Sequence, residues 1–397
     1  MFSKLVEVCR LKEGGNPLPP AVRLDEGLPD NYHYGLAICF DDNGQYVDVK
    51  LTENKKGIIY KSGPSNGYDP TAVSKYAGNA DKGVKRLGRC LKDLCEKIQA
   101  KPLQEWLKTV FLSLEESSEQ ISKDLQSSLT SFDTKERYPY FYIARFSPQD
   151  AAPVPLSSEK EVQAFMVDWA LSSYGRINKE DKNKSLQIKD KTCAICGEKR
   201  DLIYGNFSFL ACYNLDKPGM VVSGISKANA WKNFPVCTDC ITMVSAGYRF
   251  VVENLQFRLG GMNYLLIPDI YVKDPELSKE ILNCIVERPK QTSIKTEPLD
   301  KITSDEREIL EELSEENTFK DHVSFCLVFF EEKNSSWKIT GEIPQVLPSR
   351  IRTLYNAKKQ LEGKTLGDTR CALPELNKKP FKFTLGTIRS FASPDGN

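Results

Sequence analysis

The residues best suited to chemistry are four cysteines in two matched units, "TCAIC" and "VCTDC", which pair Cys193 with Cys196 and Cys237 with Cys240. Each C-x-x-C unit can grip one soft metal ion through two thiolates, and two units complete a four-sulfur shell with no position left for substrate. The units are 40 residues apart, further than the roughly 15–20 residues of a compact ribbon. The spacing therefore predicts a small subdomain held between two knuckles by a structural Zn2+. Two other uses of these residues are a redox pair at the start of a helix, which leaves the second pair without a role, and ordinary core cysteines.

Catalytic patterns fail on inspection. A zinc deaminase needs P-C-x-x-C and H-x-E, but Pro235 stands one residue too early in "PVCTDC" and the chain has no H-x-E. "EGKTLG" offers Gly363-Lys364-Thr365, yet Lys358 stands where a phosphate-cradling loop needs glycine. G-x-S-x-G and H-E-x-x-H are absent. With only two histidines, His33 and His322, general acid–base work by imidazole has little to draw on. The sequence reads as that of a protein that is not an enzyme.

The second chemical feature is a basic stretch. Lys55 to Lys92 holds nine basic and two acidic residues, whereas Asp300 to Asp321 holds nine acidic and three basic. Lys61, Lys75, Lys82, Lys85, Arg86 and Arg89, interleaved with Tyr60, Tyr68 and Tyr76, combine the phosphate-binding cations and stacking rings that nucleic-acid binders use. Asn66 and Asn79 in the same stretch are candidates for base-edge or wedge contacts. Lys227, Trp231 and Lys232, just before the second knuckle, make a further candidate surface, against which stands the simpler reading of Trp231 packed beside the metal site. Solvated faces account equally well for the two charged stretches.

These residues must be positioned by a chain of 397 residues, 40% hydrophobic and 27% charged with a net charge of +1, which is the composition of a globular protein with two or three domains. No apolar run approaches the length of a spanning helix and the first residues lack a signal-peptide core, so a cytoplasmic protein is expected. "LAICF", a turn at Asp42-Asn43-Gly44 and "YVDVKL" predict a hairpin. The glycine-rich loop Lys61–Gly83 precedes an amphipathic basic helix with Leu87, Leu91, Leu94 and Ile98 on one face. Helical spacing continues through Trp106, Val110, Ile121 and Leu129, and "YFYIARF" reads as a strand. "VQAFMVDWALSSYG" and "ITMVSAGYRFVVENL" read as helices, "NFSFLACYNLDKPG" as a strand with a turn, "SDEREILEELSEE" as an acidic helix, and "HVSFCLVFFEE" with "WKITGEI" as a late strand pair. The expected fold is α+β, a mixed multi-domain protein with an inserted four-cysteine zinc subdomain at 191–245. Its regions are 1–150 with the basic loop and helix, 151–272 with the zinc insert, and 273–397 with the acidic helix and strand pair.

Several stretches together resemble a known family. "TCAICGEKRDL", "FSFLACYNLDKPG", "FPVCTDC" and "VSFCLVFFEEKNSSWKITGEIPQVLPSRI" are similar, in that order, to the large subunit of the type I-B CRISPR surveillance complex (Cascade). The resemblance covers roughly Lys191 to Arg352. It implies a non-catalytic, RNA- and DNA-binding role in antiviral defense: contact with the 5′ handle of the guide CRISPR RNA, PAM recognition on target double-stranded DNA, duplex opening, and recruitment of the helicase-nuclease. The implied partners are the backbone, handle-binding and small subunits, with no membrane. It also implies a C-terminal helical domain, here missing or supplied as a separate chain. From other classes, a metal-dependent nuclease or nucleotide-processing enzyme with a dispersed acidic site, and a pure protein scaffold, are the competing expectations.

Overall fold

The computed structural model describes residues 1–350 except 54, 56, 65–66, 77, 131–137, 148, 176–187, 206, 208, 211–230, 233, 260–261, 287–321, 334–335 and 349. Helices and several sheets mix throughout, the expected α+β class. The chain forms two compact units: Pro19–Arg176, and Met1–Leu18 together with the chain from Ile177 onward. Among the described residues no helix is long and apolar enough to cross a membrane.

The first helix, α1 (Phe2–Glu13), belongs to the second of these units. The contiguous unit begins with α2 (Pro20–Leu24) and the hairpin of β1 (Tyr32–Phe40) and β2 (Tyr46–Thr52), paired antiparallel as the alternation predicts. Asp41 closes the turn by accepting from the Asn43 and Gln45 amides at 2.9 and 2.8 Å. Then come β3 (Val73–Lys75), α3 (Ala80–Lys97), α4 (Lys101–Glu116), α5 (Ser118–Leu129), β4 (Tyr138–Arg145), β5 (Val154–Pro155) and α6 (Lys160–Gly175). The sheet runs β2-β1-β4-β3, with β5 also on β4. β1 and β4 are parallel, a pairing that requires a long crossover, supplied by the segment carrying α3 to α5.

Pairing of Leu36 with Phe141 and Ile38 with Ile143 puts these side chains on the face where Leu87, Leu91, Leu94, Trp106, Val110 and Ile121 of the helices are also buried. Burying each such side chain is worth about 1.5–3 kcal/mol. The intervening Ala37, Cys39, Tyr140, Tyr142 and Ala144 fill a second cluster with Tyr60 and Val73. Covered on both faces, Leu36–Phe40 is buried throughout and loses the alternation of a half-exposed strand.

The other unit is built on an antiparallel sheet ordered β10-β11-β12-β13. Its elements after α1 are β6 (Lys191–Thr192), β7 (Lys199–Arg200), β8 (Ile203–Tyr204), β9 (Val236–Cys237), α7 (Thr238–Asn254), β10 (Gln256–Leu259), β11 (Met262–Ile270), α8 (Pro275–Val286), β12 (Val323–Lys333) and β13 (Ser336–Val346). The late strand pair of the sequence is β12 against β13. α1 packs on α7, α8 and β11, burying Leu5, Val6, Val8 and Cys9. It crosses α7 closely at Gly247, where a Cβ would stand 1.9 Å from the Leu5 carbonyl oxygen. The expected acidic helix "SDEREILEELSEE" and most of "NFSFLACYNLDKPG" lie outside the described residues.

Candidate metal centre and basic surface

The two cysteine units are carried by different local devices. Antiparallel pairing of Thr192 with Lys199 makes a small hairpin. At its tip the Cys193 amide donates to Glu198 O at 2.9 Å and the Gly197 amide to Cys193 O at 3.0 Å. Gly197 supplies the left-handed backbone of this turn at φ 73°. The second unit spans a strand-to-helix junction: Ile203 pairs with Cys237, Cys237 is the N-cap of α7, and Cys240 falls in its first turn. The Ala194 amide donates to Pro235 O at 2.7 Å and ties one knuckle to the other.

These devices bring the Sγ atoms of Cys193, Cys196, Cys237 and Cys240 within 4.8 Å of one another. Cys196 and Cys237 are 4.0 Å apart. Four sulfurs at about 2.3 Å from a tetrahedral zinc ion are separated by about 3.8 Å, so the donor set fits that ion. Cys193, Cys237 and Cys240 are buried. The Ile195 and Cys237 amides each donate to Cys193 Sγ at 3.4 Å, which favours the thiolate form.

The electrostatics also suit a cation. Hydrogen bonds from the Cys237 and then the Cys240 thiol hold Cys193 far below the usual thiol range. Sharing with Cys193 first, and Cys237 second, pushes Cys240 far up. Sulfurs this close cannot all ionise unless a positive ion sits among them. The N-terminus of α7 adds partial positive charge beside Cys237 and Cys240. Arg200 pairs with Glu198 and lies 3.6 Å from Asp239, and its guanidinium is held more firmly protonated by Glu198, then by Cys196. No sequence pattern marks Arg200 for this position. A zinc ion bound here cross-links the hairpin to the α7 junction.

The remaining candidates take varied positions. Lys61 Nζ pairs with Glu26 at 2.7 Å. Lys75 Nζ stands 5.3 Å from the ring centroid of Tyr60, itself buried. Lys75 and Arg86 are the cations that act on the buried Asp69 carboxyl, which burial raises above its usual range while the Gly63 amide and these two charges pull it down. Asn79 caps α3, its side chain accepting from the Lys82 amide at 3.2 Å. Lys82, Lys85 and Arg89 are exposed on α3. Asn66 and Lys227 lie outside the described residues, as does Cys212. Trp231 is half-buried, with Lys191 Nζ 5.5 Å and Lys232 Nζ 5.8 Å from its ring centroid. Trp231 thus has two cations over its ring, one of them, Lys191, two residues before Cys193.

No curated protein matches the chain. Residues 190–346, which begin just before the first knuckle and end with β13, match the family model described as the central domain of the CRISPR-associated protein TM1802. The matched part therefore contains the complete four-cysteine centre and the antiparallel sheet that follows it. This likeness supports a CRISPR-associated protein.

Proposed function

We propose that this chain is the non-catalytic large subunit of a type I-B CRISPR RNA-guided surveillance complex. In this role it binds the guide 5′ handle and the target DNA beside the protospacer, reads the flanking motif, helps open the duplex and helps recruit the helicase-nuclease. The observation that carries the reading is the match of residues 190–346 to a CRISPR-associated central domain. Two further features support it. The four cysteines suit a structural Zn2+ that holds this domain together, and the exposed cations of α3 offer a surface for phosphates.

Co-expression with the neighbouring subunits and a guide RNA tests the assignment. The chain is expected to co-purify with them, and the assembled complex to bind target duplexes in a manner that depends on the flanking sequence. Indifference to the flank would leave only a scaffold role. Cleavage of nucleic acid by the purified chain with magnesium or manganese would replace the reading with that of a nuclease.

A further inference from the structure

The basic residues between Lys61 and Lys92 separate into two sets in space. Lys61 ends on Glu26, Lys75 stands over the ring of Tyr60, and half-buried Arg86 adds its charge to that of Lys75 in lowering the buried Asp69 carboxyl. Lys82, Lys85, Arg89 and Lys92 are all exposed on α3. Their intervals of three, four and three residues keep them within about 80° of the helix circumference, at roughly 100° per residue. They extend along about 15 Å of its axis. Gly83, Val84, Leu87, Cys90, Leu91 and Leu94 are buried and so fix which side of α3 faces outward. Asp93, which accepts from the Tyr68 hydroxyl, and Glu96 close the C-terminal end of the row.

The tyrosines interleaved with these cations are committed elsewhere. Tyr60 is 1% exposed, Tyr68 packs against the main core, and Tyr76 does so with its ring 5.7 Å from that of Phe141. A site for unpaired bases needs rings on which they can stack. Here the four cations are exposed, whereas Tyr60 is buried and Tyr68 and Tyr76 are half-buried against the core. Resting on the nucleic-acid role proposed above, we infer that Lys82, Lys85, Arg89 and Lys92 dock the phosphate backbone of double-stranded DNA, with no reading of base sequence and no stacking on unpaired bases. An axial length of about 15 Å corresponds to about four phosphates on one strand of B-DNA.

The test titrates binding of the full chain to fluorescent duplex DNA of mixed sequence against salt. Each lost phosphate contact lowers the magnitude of the slope of log K against log[salt] by about 0.9, so K82Q/K85Q/R89Q/K92Q is expected to lower it by about 3–4 on duplexes of any sequence. K61Q is expected to leave the slope unchanged, and the charge-retaining K82R/K85R/R89K/K92R to keep the parent value. That second variant separates loss of charge from loss of fold. If the parent binds duplex DNA and the glutamine variant keeps its slope, this surface is wrong and the nucleic-acid role stands. If the parent binds no nucleic acid, alone or assembled with its guide RNA, both fall. Preference of the row for single strands, for duplex RNA or for polyglutamate would overturn the assignment to duplex DNA.

Discussion

Single side chains divide sharply by how far their partners lie along the chain. The cysteine pairs were legible because each unit is closed by two or three residues of backbone, so C-x-x-C nearly dictates its own geometry. If the four sulfurs hold zinc, elemental analysis should find one ion per chain, and Cys193→Ser should lose it and destabilise its unit by about 3 kcal/mol or more. A variant with no bound zinc and unchanged melting would contradict this. The basic residues were legible as a group but not one by one, because the Glu26 that engages Lys61 comes from another segment and only the fold buries the Asp69 on which Lys75 and Arg86 act. Asp69 gives a pH prediction. Its carboxyl is raised in the folded state, chiefly by burial, so folding favours its protonated form. Its contribution to stability is therefore greatest below the ordinary carboxylate range and is lost as pH rises through the folded-state value. Asp69→Asn keeps an oxygen for the Gly63 amide, which donates to Oδ1 at 2.7 Å, and removes the titration. The stability of the variant relative to the parent should rise between about pH 4 and pH 7, as measured by urea unfolding; an unchanged difference would show that Asp69 titrates as it does in the unfolded chain.

At the scale of elements, hydrophobic spacing and short β-rich runs gave α3 to α7 and the strands β1, β2, β4, β12 and β13. The hairpin of β1 with β2, and that of β12 with β13, follow from neighbouring segments. The parallel join of β1 to β4 does not, since nothing within either strand names a partner some hundred residues away. The same holds for helix crossings. "ITMVSAGYRFVVENL" announces a helix, but only the packed structure shows why Gly247 is needed: it lets α7 approach the backbone of α1 at Leu5. α7 also begins on the cysteine centre, so this crossing anchors the helix that presents Cys240. Gly247→Ala adds helix propensity worth about 1 kcal/mol, yet the obstacle is backbone rather than a flexible side chain. A net loss of about 1–3 kcal/mol is expected, read as a lower denaturant midpoint. A gain in stability would mean that α1 and α7 can separate without cost.

At the scale of the whole molecule, the chain enters one compact unit with α1, builds the other from Pro19 to Arg176, and returns at Ile177. Nothing in "FSKLVEVCRLKE" names the distant elements that cover the apolar side of α1. The energetic weight of that cover is large. Leu5, Val6 and Val8 are each at most 2% exposed, and full burial of side chains of this kind is worth about 1.5–3 kcal/mol apiece. Their sum is of the same order as the net stability of an ordinary domain, about 5–15 kcal/mol. Phe2 adds ring contacts with Phe207 and Phe234 at 5.2 and 4.8 Å, in the segment between the two knuckles. The two units should therefore differ when expressed apart. Residues 19–176 contain a sheet covered on both faces and are expected to unfold in one cooperative transition. Residues 177–397 lack α1 and are expected to show no such transition until a peptide of residues 1–18 is supplied, which should restore cooperative melting and, if zinc is held at the four cysteines, its retention during gel filtration. Cooperative unfolding of 177–397 alone, at the midpoint seen for that unit in the full chain, would show that α1 is an accessory to this core rather than part of it.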